Sequence, residues 1–455
     1  MRPGHSVLIL LLVFFAGAAA PAAGEAQSQV IVLENGIRAA VERVSHPHLV
    51  HLVLALRAGS KYEPAGRKGL SHLIEHLLLF GSDNSGGASF TRRLSERGGL
   101  LNGHTDRDLL TVEMTFPPSE LDFAVGLIRR MVFERRFHAA DLEREREVVR
   151  READEIQDSP ERSGLFLLLN HLFAGHPYER SAMGDPRALD GVGLEEIMRH
   201  YRGLFRPERC AVALVGDLDS VAASACLKTH LGGIQSGTPG ESDAFALPPP
   251  APLTASPEIE RRMDVKRAHL WLGFRAPAYN HVDRVAMRVL TQMLGQGGYS
   301  LLSVSLSGRF QWVDSVSMHY QAMEDSGFAW IHMVLDPANV RRARHEVMRF
   351  LKYFRNMDFS VRDLPPAQRR GVFDFLQTAE NQLLSRLEAD GEDGMNRALS
   401  TTRFLLLNRL ARPTGFAAQA AALSSSRLRA VAGDYLLKPA HVEVTLLPQT
   451  THEKK

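Results

Sequence analysis

With only two cysteines, Cys210 and Cys226, among 455 residues, the chain has no disulfide framework to hold it together. The formal net charge is only +2, which removes any whole-chain electrostatic case for nucleic acid, and the Arg-rich stretch Arg144 to Arg151 carries interspersed Glu, as a charged surface does. Long apolar runs are also missing. The run Val7 to Phe15 falls short of the roughly 20 residues a membrane span needs, and no later segment approaches that length without charges. What is present is a globular balance, 44% apolar and 23% charged, which excludes a disordered or collagen-like chain. The length supports two to three domains of about 150 residues each.

Arg2 and His5 precede the Val7 to Phe15 run, and Ala16-Gly17-Ala18-Ala19-Ala20 follows it, so residues 1–26 read as a secretory signal peptide cleaved after Ala20 or Ala26. The remainder is expected to be exported, periplasmic or secreted, with no integral membrane segment. In an oxidising compartment Cys210 and Cys226 are free to pair or to stay as buried thiols, one opening a strand-like run and the other lying in a helix-like one. Residues 236–257, with Pro248-Pro249-Pro250 and several Gly and Ser, form a linker between residues 27–235 and 258–455. The octet His51-Leu52-Val53-Leu54-Ala55-Leu56-Arg57-Ala58 is echoed by His269-Leu270-Trp271-Leu272-Gly273-Phe274-Arg275-Ala276, with five of eight positions identical. In both halves a helical pattern follows the octet. The expected class is α+β: two homologous halves, each a mainly antiparallel sheet packed with helices, facing each other across a chamber.

The chemistry concentrates in His72-Leu73-Ile74-Glu75-His76. Histidines at i and i+4 share a helical face and suit one metal ion, with a carboxylate beside them. Leu70, Leu73, Ile74, Leu77 and Leu78 form the apolar stripe, so the polar trio points away from it, toward solvent, a cleft or another domain. The same spacing also describes the polar back of an amphipathic helix. A third ligand is sought in the acidic helix from Asp141 to Gln157. There Leu142, Val149, Ala153 and Ile156 make a buried stripe flanked two turns apart by Glu145 and Glu152, which either reach a neighbouring element or pair with solvated Arg. Asn102, beside Gly103, is by itself a turn residue.

His72-x-x-Glu75-His76 is an inverted zincin motif, and with Glu152 it resembles the pitrilysin/insulinase family of metallopeptidases, in particular the mitochondrial-processing-peptidase-like branch. Gly59-Ser60, Glu63-Pro64, Gly69-Leu70-Ser71, Leu101-Asn102-Gly103-His104-Thr105, His176-Pro177-Tyr178, Gly184 and Val215-Gly216-Asp217 extend the similarity over most of the first half. The resemblance implies a zinc endopeptidase, exported by the reading of residues 1–26, with one Zn2+ per chain held by His72, His76 and Glu152. It also implies Glu75 as general base, Glu145 supporting the site, and Asn102 with the strand from Leu109 to Phe116 beside a substrate bound as an added strand.

The repeat offset puts Leu290, Met293 and Leu294 where His72, Glu75 and His76 stand, so the second half carries no metal ligands. The Arg and Tyr that active relatives use near the substrate would fall at Ser307 and Asp314, although Arg309 and Tyr320 lie near enough for a shifted alignment. The expected partners are therefore a peptide or unfolded polypeptide and a homologous subunit that supplies the Arg/Tyr pair in a heterodimer. The competing readings are a structural subunit, as some relatives are, and a metal-binding module without hydrolysis; the ligand set also suits divalent ions other than zinc.

Overall fold

The computed structural model describes residues 28–449 except 45–47, 84–86, 236–247, 309, 311, 361–364, 366–367, 369–372, 408–414 and 439. The signal-peptide segment 1–26 and most of the expected linker lie outside the described residues. Residues 28–231 run β1 (Ser28–Val32), β2 (Arg38–Arg43), β3 (Val50–Leu56), α1 (Leu70–Leu79), α2 (Phe90–Ser95), β4 (Leu100–Thr105) and β5 (Leu110–Phe116). They continue through α3 (Leu121–Phe133), α4 (Ala139–Asp158), α5 (Pro160–Leu172), α6 (Leu194–Leu204), β6 (Cys210–Gly216) and α7 (Ser220–Leu231). The second half runs β7 (Glu258–Met263), β8 (Ala268–Ala276), α8 (Arg284–Gly295), β9 (Val313–Ala322), β10 (Gly327–Leu335) and α9 (Val340–Phe354). It ends with α10 (Phe375–Glu392), α11 (Gly394–Leu407), α12 (Phe416–Ala421), α13 (Ser425–Ala432) and β11 (Val442–Pro448).

The first sheet has the order β1-β2-β6-β3-β5-β4 and the second β7-β11-β8-β10-β9. Among the described residues only β2/β6 and β7/β11 are parallel pairs, so both sheets are mainly antiparallel. Apart from β1, the two orders correspond strand for strand. The repeated octets occupy equivalent places, β3 between β6 and β5 and β8 between β11 and β10. Two readings need correction. Asn102, by itself a turn residue, lies in a strand, because the backbone of Leu100–Thr105 pairs with β5, Asn102 opposite Glu113. The strand ending at Phe116, β5, is interior, with β3 on one side and β4 on the other, and offers no edge to an added strand.

Each sheet buries both faces, which is why β3, β6 and β8 read as almost unbroken apolar runs instead of alternating ones. On the first sheet Leu52, Leu54 and Leu56 face the layer of α1, α3 and α7, while Val53 and Ala55 point the other way. That second face, lined by Ala40, Ala55, Ala211 and Ala213, is covered by α11 through Ala398, Leu405, Leu406 and Leu407, so a helix from the second half completes the first. The exchange is reciprocal. On the second sheet α8, α9, α10 and α13 pack over Leu270, Leu272 and Phe274, and α5 from the first half covers Trp271, Phe328 and Val444 with Leu168, Leu169 and Leu172. Gly164 of α5 lies directly over the Trp271 ring and Gly273 of β8 under Leu168; a Cβ at either would overlap its neighbour.

A buried ion cluster closes the seam. Lys61 Nζ lies 3.0 Å from Asp108 and, across the halves, 2.6 Å from Glu324 and 3.0 Å from Asp325 at the β9–β10 hairpin tip. Tyr178 donates to Asp108 at 2.5 Å and accepts from the Asp325 amide at 3.0 Å. Burial opposes a charged Lys61, but Asp108, Glu324 and Asp325 outweigh it and hold the ammonium above its ordinary range. Removing one member of such a cluster leaves the opposite charges buried and unpaired. Lys61→Met is therefore expected to destabilise the chain by about 3–5 kcal/mol; an unchanged midpoint in chemical denaturation would show that the cluster does not bind the halves together.

Candidate metal centre

α1 starts at Gly69, whose φ of +98° lies in the left-handed region. The Glu63 carboxylate accepts from the Gly69 and Ser71 amides, both at 2.9 Å, and so satisfies donors that a helix start leaves free. Gly184, also at positive φ, lies so close to the Gly69 backbone that a side chain there would push the helix start aside. The polar face of α1 does not reach solvent. His72, Glu75 and His76 are 5%, 6% and 4% exposed, enclosed by α4 and β4.

Glu145 and Glu152, seven residues apart on α4, both turn toward that face. Glu152 Oε2 lies 3.5 Å from His72 Nε2 and 3.4 Å from His76 Nε2. His76 Nδ1 lies 3.3 Å from Glu145 Oε2; with the proton on Nδ1, the Nε2 lone pair is left for a ligand. The donor atoms of His72, His76 and Glu152 all lie within 4.8 Å of one another, and Glu152, with its side chain 37% exposed, marks the open side. Neighbouring donors around a tetrahedral zinc ion lie about 3.3 Å apart, so the three present fit such an ion.

Burial, with help from the His76 and His104 imidazoles, pushes His72 down to about 3, so it stays neutral and able to donate a lone pair. Burial also lifts Glu75 above the usual carboxylate range, opposed by the Thr105 hydroxyl, which donates to Glu75 Oε2 at 2.5 Å. Gly103 lets β4 approach this closely, since a Cβ there would come within 3.1 Å of Glu75 Cγ and 2.7 Å of Leu79 Cδ1.

The five residues singled out on α1 and α4 thus meet at one place. Asn102 does not join them; it lies on the exposed side of β4, three residues from Thr105. Thr105, on the inward side of β4, was missed in the sequence, although it stands in the segment that carried Asn102. The available signal was alternation along a strand, which the Asn-Gly pair masked. In the second half Leu290, Met293 and Leu294 are buried in its core. Asp314 is exposed and paired with Arg267 at 2.5 and 2.6 Å, and Tyr320 donates to the Pro277 carbonyl at 2.6 Å. Both cysteines are free, Cys210 buried and Cys226 half-buried. Among the described residues no helix is long and apolar enough to cross a membrane.

Solved structures share this architecture. A protease from Helicobacter pylori matches with a TM-score of 0.82 at 21% identity, covering 93% of this chain and all of the other. The family model for insulinase (peptidase family M16) matches residues 38–186, and that for the peptidase M16 inactive domain matches residues 191–370. The chain belongs to this family, the pitrilysin/insulinase peptidases. Its relatives include zinc protease PqqE of Helicobacter pylori, 23% identical over 77% of this chain and 80% of the other. They also include subunit beta of the bovine mitochondrial-processing peptidase, 25% identical over 71% and 67%. Subunit 1 of the bovine cytochrome b-c1 complex is 27% identical over 69% and 66%.

For His76, burial acts to lower the pKa, but the Glu145 hydrogen bond and the Glu152 and Glu75 carboxylates outweigh it and raise the imidazole above its ordinary 6.5. A divalent ion taken by this set must displace that proton, so affinity falls as pH drops through the raised value. Below it the apparent Kd for zinc is expected to rise about tenfold per pH unit, and Glu145→Gln should move the onset to lower pH. Competition against a chelator between about pH 6 and about pH 8 measures this; a Kd independent of pH would contradict it.

Proposed function

We propose that the chain is an exported zinc metalloendopeptidase acting on peptides or unfolded segments, with His72, His76 and Glu152 holding one ion, Glu75 as general base and Glu145 orienting His76. The observation that carries this reading is the meeting of three donor atoms within 4.8 Å beside a buried Glu75 carboxylate. When bound, zinc supplies Lewis acidity toward water and the scissile carbonyl. Glu75 takes a proton from the attacking water on a carboxylate oxygen and passes it to the leaving amine nitrogen. Its raised pKa suits both transfers, and Thr105 holds the other side of the exchange by fixing Oε2. The substrate lies along β4, which among the described residues pairs with β5 alone and so leaves its other edge open next to Glu75.

Export is read from residues 1–26. A heterodimer enclosing a chamber is read from the second half, where the aligned Arg and Tyr positions hold Ser307 and Asp314, the latter tied to Arg267. This chain alone should then hydrolyse peptides weakly, and a homologous subunit carrying the pair should raise turnover. The alternative, a non-catalytic subunit, is favoured by the relative named as a b-c1 complex subunit.

Metal content and peptide hydrolysis, measured for the wild type beside Glu75→Gln with and without such a partner, separate the readings. A peptidase should hold about one zinc per chain in both forms and lose turnover by on the order of 10²–10⁴-fold in the variant. Zinc in both forms with no turnover even with the partner would leave the structural role, and no zinc in either would remove the metal reading.

A further inference from the structure

The helical layer over the first sheet carries a second set of metal-type donors at the end opposite α1. α1 packs against β4 at one edge of that sheet, whereas α7 packs against β2 and α3 near the other. Cys226 and His230 stand at i and i+4 on α7, hence on one face of it, and Asp122 reaches across from the first turn of α3. His230 Nε2 lies 2.8 Å from Asp122 Oδ1, and one donor atom from each of the three residues falls within 4.8 Å of the others. Gly126 of α3 makes room for the imidazole, because a Cβ there would come within 3.2 Å of His230 Cε1 and 3.4 Å of Nδ1. The set faces water on one side. Asp122 is 86% exposed at its side chain, His230 22%, and Cys226 is half-buried at the rim of the core.

We propose that Asp122, Cys226 and His230 form a second metal site for a thiophilic divalent ion such as zinc, joining α3 to α7 independently of the His72 centre. The chemistry of the donors selects the ion. A thiolate with an imidazole excludes magnesium and calcium and suits zinc, cobalt or nickel, with water completing a tetrahedral set. Sulfur and nitrogen donors around zinc lie about 3.6 Å apart, so no pair in the cluster has to close by more than about 1.2 Å, while the His230–Asp122 pair, now at 2.8 Å, opens slightly as the exposed Asp122 side chain turns. Binding releases the Cys226 proton as the metal–sulfur bond forms. Without metal, burial and then the Asp122 carboxylate push that thiol up to about 11, so it stays protonated in neutral solution.

Cobalt(II) titration of the purified chain tests the site, because a cobalt–thiolate bond gives a near-ultraviolet charge-transfer band that histidine and carboxylate ligands do not. The His72, His76 and Glu152 set contains no thiolate, so the two centres are read separately and either can fail without the other. The wild type should develop the band to saturation at one thiolate-bound cobalt per chain. Cys226→Ser should abolish it, Cys210→Ser should keep it, and His230→Ala should weaken cobalt binding in that band by roughly tenfold or more. Far-ultraviolet circular dichroism of each variant checks folding, and His230→Ala, which keeps the thiol, serves if Cys226→Ser unfolds. No band in the wild type at saturating cobalt, a band that survives in Cys226→Ser, or unchanged affinity in His230→Ala would overturn the proposal.

Discussion

The structure depends on a helix face that is both polar and buried. Placing two imidazoles and a carboxyl of α1 out of water is unfavourable unless each finds a partner, and the surrounding elements are arranged to supply them. Glu145 meets His76, Thr105 meets Glu75, and Glu152 stands within 3.5 Å of both Nε2 atoms. His72 Nδ1 is buried with no hydrogen-bond partner among the described residues. Glu63 and the Gly69–Gly184 approach fix where the helix begins, and with it the angular position of every residue on that face. Folding energy from the apolar side of α1, where Leu70, Leu73, Ile74, Leu77 and Leu78 are fully buried, sustains the strain of the other side.

Much of this was legible in the sequence. The acidic helix read from Asp141 to Gln157 falls within two residues of α4, the octet from His51 falls on β3, and Glu145 and Glu152, flanking the apolar stripe of α4, turn inward while Glu143, Glu147 and Asp154 are exposed. The repeated octet located equivalent central strands in both sheets. What escaped is tertiary in origin. β4 reads Leu-Leu-Asn-Gly-His-Thr, and its pairing depends on β5 and on the close approach that Gly103 permits, neither of which leaves a local pattern. The burial of the α1 polar face was equally hidden, because its cover comes from α4, more than sixty residues away.

The two halves share a topology but not a chemistry. At the positions matching His72, Glu75 and His76, α8 has Leu290, Met293 and Leu294, and these join its own apolar core. A helix freed of polar ligands packs as an ordinary amphipathic element. The second half has turned its surfaces to contact instead: it covers the first sheet with α11 and extends Glu324 and Asp325 into the Lys61 cluster, only nine residues before the start of α1. The orientation of the halves and the start of the metal-type helix are therefore set by one short stretch, Ser60 to Gly69.

The exchange of α5 and α11 also has a consequence for how the chain is made. Synthesis runs from the amino end, yet the alanine-lined face of the first sheet has no cover until the ribosome has released the segment ending at Leu407. Until then a nearly complete domain displays an apolar surface that belongs to a helix not yet made, a state open to wrong partners. Contacts so distant along the chain form late and slowly. Cutting the gene between the halves would therefore yield two pieces that each lack one wall.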